Sequence, residues 1–131
     1  MNKLKEAIQA LSEQFRKISK IEEEIMEAVA ANKLSQVEQG IIREQSAVMK
    51  LRGLERIKDQ ALDECGYEGF SFTQILEKMD VSSRKEFIPI FEELSTEIQI
   101  FSRIHEDTGT LLQVKLRHLN NMTTNQINHK A

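Results

Sequence analysis

The sequence predicts an all-α protein, an antiparallel helical bundle of coiled-coil character with three long helices, one short helix and a mobile C-terminal tail. Three observations lead to that class. Apolar residues recur at intervals of three and four along three long stretches, which places them on one face of a helix. Pro89 and Tyr67 are the only residues of their types and Trp is absent, so the chain has few of the residues that favour strands or break helices. Its 131 residues are 40% hydrophobic and 30% charged, which suits one domain with a solvated exterior. The domain is expected over residues 1–121 and the tail over 122–131.

The first helix is expected from Asn2 to about Ala31. Leu4, Ile8, Leu11, Phe15 and Ile18 hold a four-three rhythm, and Ile21, Ile25 and Val29 carry the stripe onward. Lys3, Lys5, Glu13, Arg16, Lys17 and the run Glu22-Glu23-Glu24 are expected on the solvated side. Asn32-Lys33-Leu34 reads as a turn, and Ser35-Gln36-Val37-Glu38 as a capping box opening the second helix. A connection that short makes the two helices antiparallel neighbours. The second helix carries Val37, Ile41, Val48, Leu51 and Leu62 on its seam, interrupted by Glu44 and Glu55, and Gly66 is its expected stop. Gly40 and Gly53 weaken it by roughly 1 kcal/mol each relative to Ala, and are read as close helix approach or local looseness.

Ser71-Phe72-Thr73-Gln74 is a second capping box, starting a short helix to about Met79, with Phe70 and Ile75 placed as a hydrophobic staple. A third cap signal stands at Ser83-Arg84-Lys85-Glu86. Pro89 cannot donate to a helix ladder, so a lead-in turn is expected before it and a continuous helix after it. Phe87, Phe91, Leu94, Ile98 and Phe101 form the main seam of the last stretch, which passes His105 and Thr108 and resumes at Leu112, Leu119 and Met122. From Ser83 to Met122 it is roughly 55–60 Å long at 1.5 Å per residue, and the rest of the chain is expected to pack along it. His105 and Thr108 are read as a core or boundary pair fixing register, as buried polar residues do in coiled coils.

A second apolar edge, Ile100, Ile104 and Leu111, lies about a third of a turn from that seam. Such an edge is most often packed between two neighbours; otherwise it is a groove for an amphipathic partner helix. Met26, Met49, Met79 and Met122 suit either a core or an adaptable surface.

Composition excludes several function classes. The net charge of −3 is dispersed, and the basic group Arg43, Lys50, Arg52, Arg56 and Lys58 is interleaved with Glu44, Glu55 and Asp59, so a nucleic-acid surface is not expected. No apolar run is long enough to cross a bilayer and no leader pattern opens the chain. With Cys65 alone, a cytoplasmic location is expected and a buried thiol preferred to a catalytic one. Residues three before His105, His118 and His129 are Ser102, Lys115 and Gln126, which removes the Glu-x-x-His pattern of di-iron bundles. No ligand set converging from several helices is evident. The expectation is therefore no enzyme, no catalytic residue, no metal and no cofactor.

Several segments together resemble the FlgN-type flagellar export chaperones. They are the long first helix, the turn at Ala31-Asn32-Lys33-Leu34, the run Glu44-Gln45-Ser46-Ala47-Val48-Met49, then Leu54-Glu55-Arg56-Ile57-Lys58 and Ala61-Leu62-Asp63-Glu64-Cys65-Gly66. The likeness covers roughly Leu4 to Asn120. Gln45 stands where the family commonly has lysine, and Lys58 where it has arginine. The resemblance implies a cytosolic, non-catalytic protein, monomeric or weakly self-associating. Its partners would be the C-terminal helical segments of hook-associated (hook–filament junction) proteins, held back from early assembly, and export-gate components. The family's last segment contacts cargo and gate, which points to Leu111–Ala131. A tyrosine used for gate docking in some members has no counterpart there. Ile100, Ile104, Leu111, Val114, Leu119 and Met122 are thus the candidate cargo-binding residues. The competing readings are a self-associating structural bundle and a different type III secretion chaperone.

Overall fold

The computed structural model describes residues 2–114, and beyond them only the run of the last helix to Lys130. The side chains of Leu119 and Met122 lie outside the described residues, and the expected tail over 122–131 is described only as the last helix running on to Lys130, without the helix end expected near Asn121. The order is α1 Asn2–Ala30, α2 Leu34–Glu64, α3 Phe72–Lys78 and α4 Val81–Lys130, with no strand among the described residues. The helical class and the four helices agree with the expectation.

The centre of the arrangement does not. α1, rather than the last helix, is the element on which the two other long helices pack: it lies against both α2 and α4, α3 packs on α4, and among the described residues α2 and α4 make no close backbone approach to each other. α1 buries thirteen of its 29 residues, against six of 31 in α2. The reason lies in a second face. Leu4, Ile8, Leu11, Phe15, Ile18, Ile25 and Val29 are buried as their spacing requires. Ala7, Gln14 and Ala28, seven and fourteen residues apart, are buried as well, so two sides of the helix are covered. Gln14 Nε2 donates to the Ala47 carbonyl of α2 at 2.9 Å.

α2 runs antiparallel to α1, since Gln14 meets Ala47 and Ile25 meets Gly40. α4 runs in the same direction as α1: Lys5 pairs with Glu86, Phe15 packs on Phe101, and Glu22 meets His105. At Gly40 the helices approach so closely that a Cβ would stand 2.6 Å from Ile25 Cγ1. At Gly53 the same atom would meet nothing within 4 Å. Close approach is therefore the reason for the first glycine only.

The turns explain where the expected boundaries shift. Asn32 takes a left-handed φ of 57°. Lys33 then donates to the Ala28 carbonyl and Asn32 to that of Val29, the two bonds of a Schellman ending. That motif starts α2 at Leu34, so Ser35 lies inside the helix and the expected Ser35–Glu38 capping box does not form; Lys33 caps without a side-chain bond. The α2 end agrees: Gly66 has φ 79°, with Gly66 donating to Asp63 and Tyr67 to Leu62. The Ser71–Gln74 capping box is present in both directions. α4 begins two residues before Ser83, because Asp80 Oδ1 accepts from the Ser83 amide at 2.7 Å and caps the helix. Pro89 consequently lies inside α4 with no break before it. Pro89 and Lys85, whose carbonyl loses its donor, are exposed, so water can serve that carbonyl.

The main core joins α1 to Ala47, Leu51, Ala61 and Leu62 of α2, and to Phe87, Ile90, Phe91 and Leu94 of α4. α3 closes one end through Ile75 and through Phe72, stacked on Phe91 at 4.5 Å. Cys65 is half-buried against this core. A second, smaller cluster of Ile25, Ala28, Val29 and Val37 lies toward the α1–α2 turn, with Leu111 and Leu112 of α4 packed on it.

Candidate functional site

Between the two apolar clusters lies a polar layer. The rhythm Phe15, Ile18, Ile25, Val29 leaves one seam position open, and Glu22 occupies it. Glu22 is only 1% exposed, so it is not part of a solvated acidic run; Glu23 and Glu24 are exposed as expected. Opposite it, α4 presents His105, whose Nδ1 stands 2.5 Å from Glu22 Oε1. α2 presents Glu44. One ligand atom from each of the three groups lies within 4.8 Å of the other two. The expectation that no ligand set converges from several helices is therefore corrected. Each of these residues is the polar interruption of its own helix's apolar seam, and the fold stacks the three interruptions at one level.

The electrostatics follow from the burial. The Glu44 carboxyl is pushed up to about 7 by its burial first and by the adjoining Glu22 carboxylate second, with His105 pulling the other way. The His105 imidazole is raised above its ordinary value, chiefly because its hydrogen bond to Glu22 favours the charged form. Its side chain is 62% exposed, so the layer is buried at Glu22 and open to water at His105. Glu22 Oε2 is buried with no hydrogen-bond partner. A cavity of about 80 Å³ adjoins it, lined by the three polar groups with Ile25, Thr108 and Leu112 among others. Both polar residues of the α4 seam are satisfied: buried Thr108 donates from Oγ1 to the Ile104 carbonyl of its own helix, and His105, at the boundary, meets Glu22 and stacks on Phe101 with ring centroids 5.3 Å apart.

The cargo-binding candidates fall into two groups. Ile100 and Val114 are 40% and 55% exposed. Ile104 and Leu111 are half-buried, and Leu111 packs on the smaller cluster. The structure adds an exposed apolar face on α2 that periodicity did not single out, with Ile42 65%, Met49 71% and Ile57 54% exposed. The basic side chains Arg43, Lys50, Arg52 and Arg56 are exposed, and Lys58 is half-buried. Arg43 pairs with Glu24 of α1. No helix among the described residues is long and apolar enough to cross a membrane.

Comparison with protein-family models, curated proteins and solved structures finds no match for this chain.

Proposed function

We propose that this protein is a non-catalytic, cytoplasmic helical chaperone of the FlgN type, which binds an amphipathic C-terminal helix of a hook-associated protein and presents it for export. The observation that carries the reading is the Ile100–Val114 edge of α4. Ile100, Ile104, Leu111 and Val114 lie on one side of the helix over roughly 21 Å at 1.5 Å per residue, enough to receive four turns of a partner helix. Ile100 and Val114 leave apolar surface in water, while Ile104 and Leu111 are partly anchored below. Exposed Arg103 borders the edge, and exposed Asp107 interrupts it between Ile104 and Leu111; these two charges would supply the polar contacts that set the partner's orientation. This is the helix-in-groove mode of recognition, in which apolar residues at helical spacing receive the partner's apolar face.

A titration of the full chain with the C-terminal segment of a hook-associated protein tests the proposal. Wild type binds one segment, and Ile100→Asp and Val114→Asp each weaken binding at least tenfold without moving the thermal midpoint. Leu111→Asp is a poorer probe, because Leu111 also packs on the smaller cluster and its loss would disturb folding. Absence of binding, or binding indifferent to Val114→Asp, rejects the reading.

The exposed α2 face supports a second reading, a bundle that self-associates through Ile42, Met49 and Ile57. Sedimentation separates the two: this reading requires a dimer that Met49→Asp dissociates.

A further inference from the structure

We propose that Glu22, Glu44 and His105 form a site for one divalent first-row transition-metal ion of the zinc type, held between α1, α2 and α4. Three helices each supply one donor, and the donors lie within 4.8 Å of one another. An acidic pair alone would be an ordinary feature of a helical surface. Here an independent observation points to a ligand: Glu22 is 1% exposed, and its Oε2 is buried without a hydrogen-bond partner. A buried carboxylate oxygen left in that state is costly unless a proton or cation satisfies it.

The charge and geometry suit such an ion. Two carboxylates balance a doubly charged cation, whereas His105 alone offers at most one positive charge. One imidazole nitrogen and two carboxylate oxygens are donors that favour first-row transition ions over magnesium, which prefers six oxygens in a regular octahedron. Bonds of about 2.0–2.1 Å in a tetrahedron separate neighbouring donors by about 3.3 Å. The His105 Nδ1 to Glu22 Oε1 distance of 2.5 Å must therefore open by under about 1 Å. The ion takes the place of the proton shared by those atoms and of the proton held by Glu44 in its neutral form; both leave to water on binding, while Nε2 keeps its hydrogen. The adjoining cavity of about 80 Å³ has room for a water to complete the coordination. Since α2 and α4 have no close backbone approach among the described residues, the ion would add a direct link between them.

The test uses the full chain, stripped with a chelator and dialysed against zinc chloride in excess magnesium chloride. One zinc per chain is expected, with a rise in thermal midpoint. His105→Gln and Glu44→Gln each lower zinc affinity at least tenfold, and His105→Gln folds normally because that side chain is 62% exposed. Since His118 and His129 also offer imidazoles, the double variant His118→Gln/His129→Gln is measured alongside and is expected to bind as wild type does. Zinc below one equivalent, affinity unchanged by His105→Gln, or affinity lost only in the His118/His129 variant would each overturn the assignment. The first of these would leave a shared proton as the occupant of the layer.

Discussion

Replacing each of the two α2 glycines by alanine in turn should move stability in opposite directions. In a helix interior, alanine is favoured over glycine by about 1 kcal/mol. At Gly53 nothing opposes that gain, since an added Cβ meets no atom within 4 Å. Gly53→Ala is therefore expected to stabilise by about 0.5–1 kcal/mol. At Gly40 the added Cβ stands 2.6 Å from Ile25 Cγ1. That atom branches directly from Cβ on a side chain with one strongly preferred χ1 in a helix, so it cannot swing away. Overpacking of this kind costs about 1–3 kcal/mol, which outweighs the propensity gain and leaves a net loss of about 1 kcal/mol. For a chain of this length the two variants should bracket wild type, with thermal midpoints separated by about 6–8 °C. Denaturant unfolding with unchanged slope confirms that stability, and not the surface exposed on unfolding, is what changed. Equal stabilisation by both substitutions would show that α1 and α2 do not approach at Gly40, and would refute the packing described above.

Other perturbations follow from the same packing. Leu94→Ala, at a side chain 2% exposed in the main core, should cost about 2–5 kcal/mol in chemical denaturation; a cost under 1 kcal/mol would remove Leu94 from the core. Ser71→Ala removes the hydroxyl that accepts from the Gln74 amide, leaves the Ser71 amide bond to Gln74 Oε1 in place, and should cost about 1 kcal/mol, read as a lower thermal midpoint. The Asp80 carboxylate is held below its ordinary range by the Ser83 amide. Its depressed folded value means that its contribution is present above the unfolded pKa of about 3.9 and is lost as pH falls through the folded value. The midpoint difference between wild type and Asp80→Ala should accordingly be constant near neutrality and narrow only in acid. In metal-free protein, Glu22→Leu removes one partner of the Glu22–His105 pair and should destabilise, by less than the roughly 3–5 kcal/mol of a fully buried pair, because His105 is 62% exposed and returns to water; a gain in stability would show that the pair contributes nothing to the fold.

The helices themselves were readable because periodicity is a local property. The α1 seam is buried almost as written, and the Ser71 and Gly66 signals mark real ends because the atoms that satisfy them lie within one turn. Where two local signals compete, the sequence does not say which prevails: the Schellman ending at Asn32 displaced the Ser35 box, and Asp80 capped α4 ahead of Ser83. The central position of α1 depends on Ala7, Gln14 and Ala28, residues whose burial is a matter of which helix lies opposite. The polar layer was half visible. Glu44 and His105 stand out as interruptions of apolar seams, but Glu22 was masked by its acidic neighbours, although its place in the four-three rhythm sets it apart from Glu23 and Glu24. That the three meet is a consequence of helix register, which no single segment encodes.

The proposed cargo edge of α4 is tested most directly by amide hydrogen exchange of the full chain, free and saturated with the C-terminal segment of a hook-associated protein. Exchange falls where a partner suppresses local opening. Exchange in bound protein should be slower across residues 100–114 of α4, with residues 42–57 of α2 unchanged. Slowing confined to residues 42–57, or no slowing anywhere, would contradict the proposed edge.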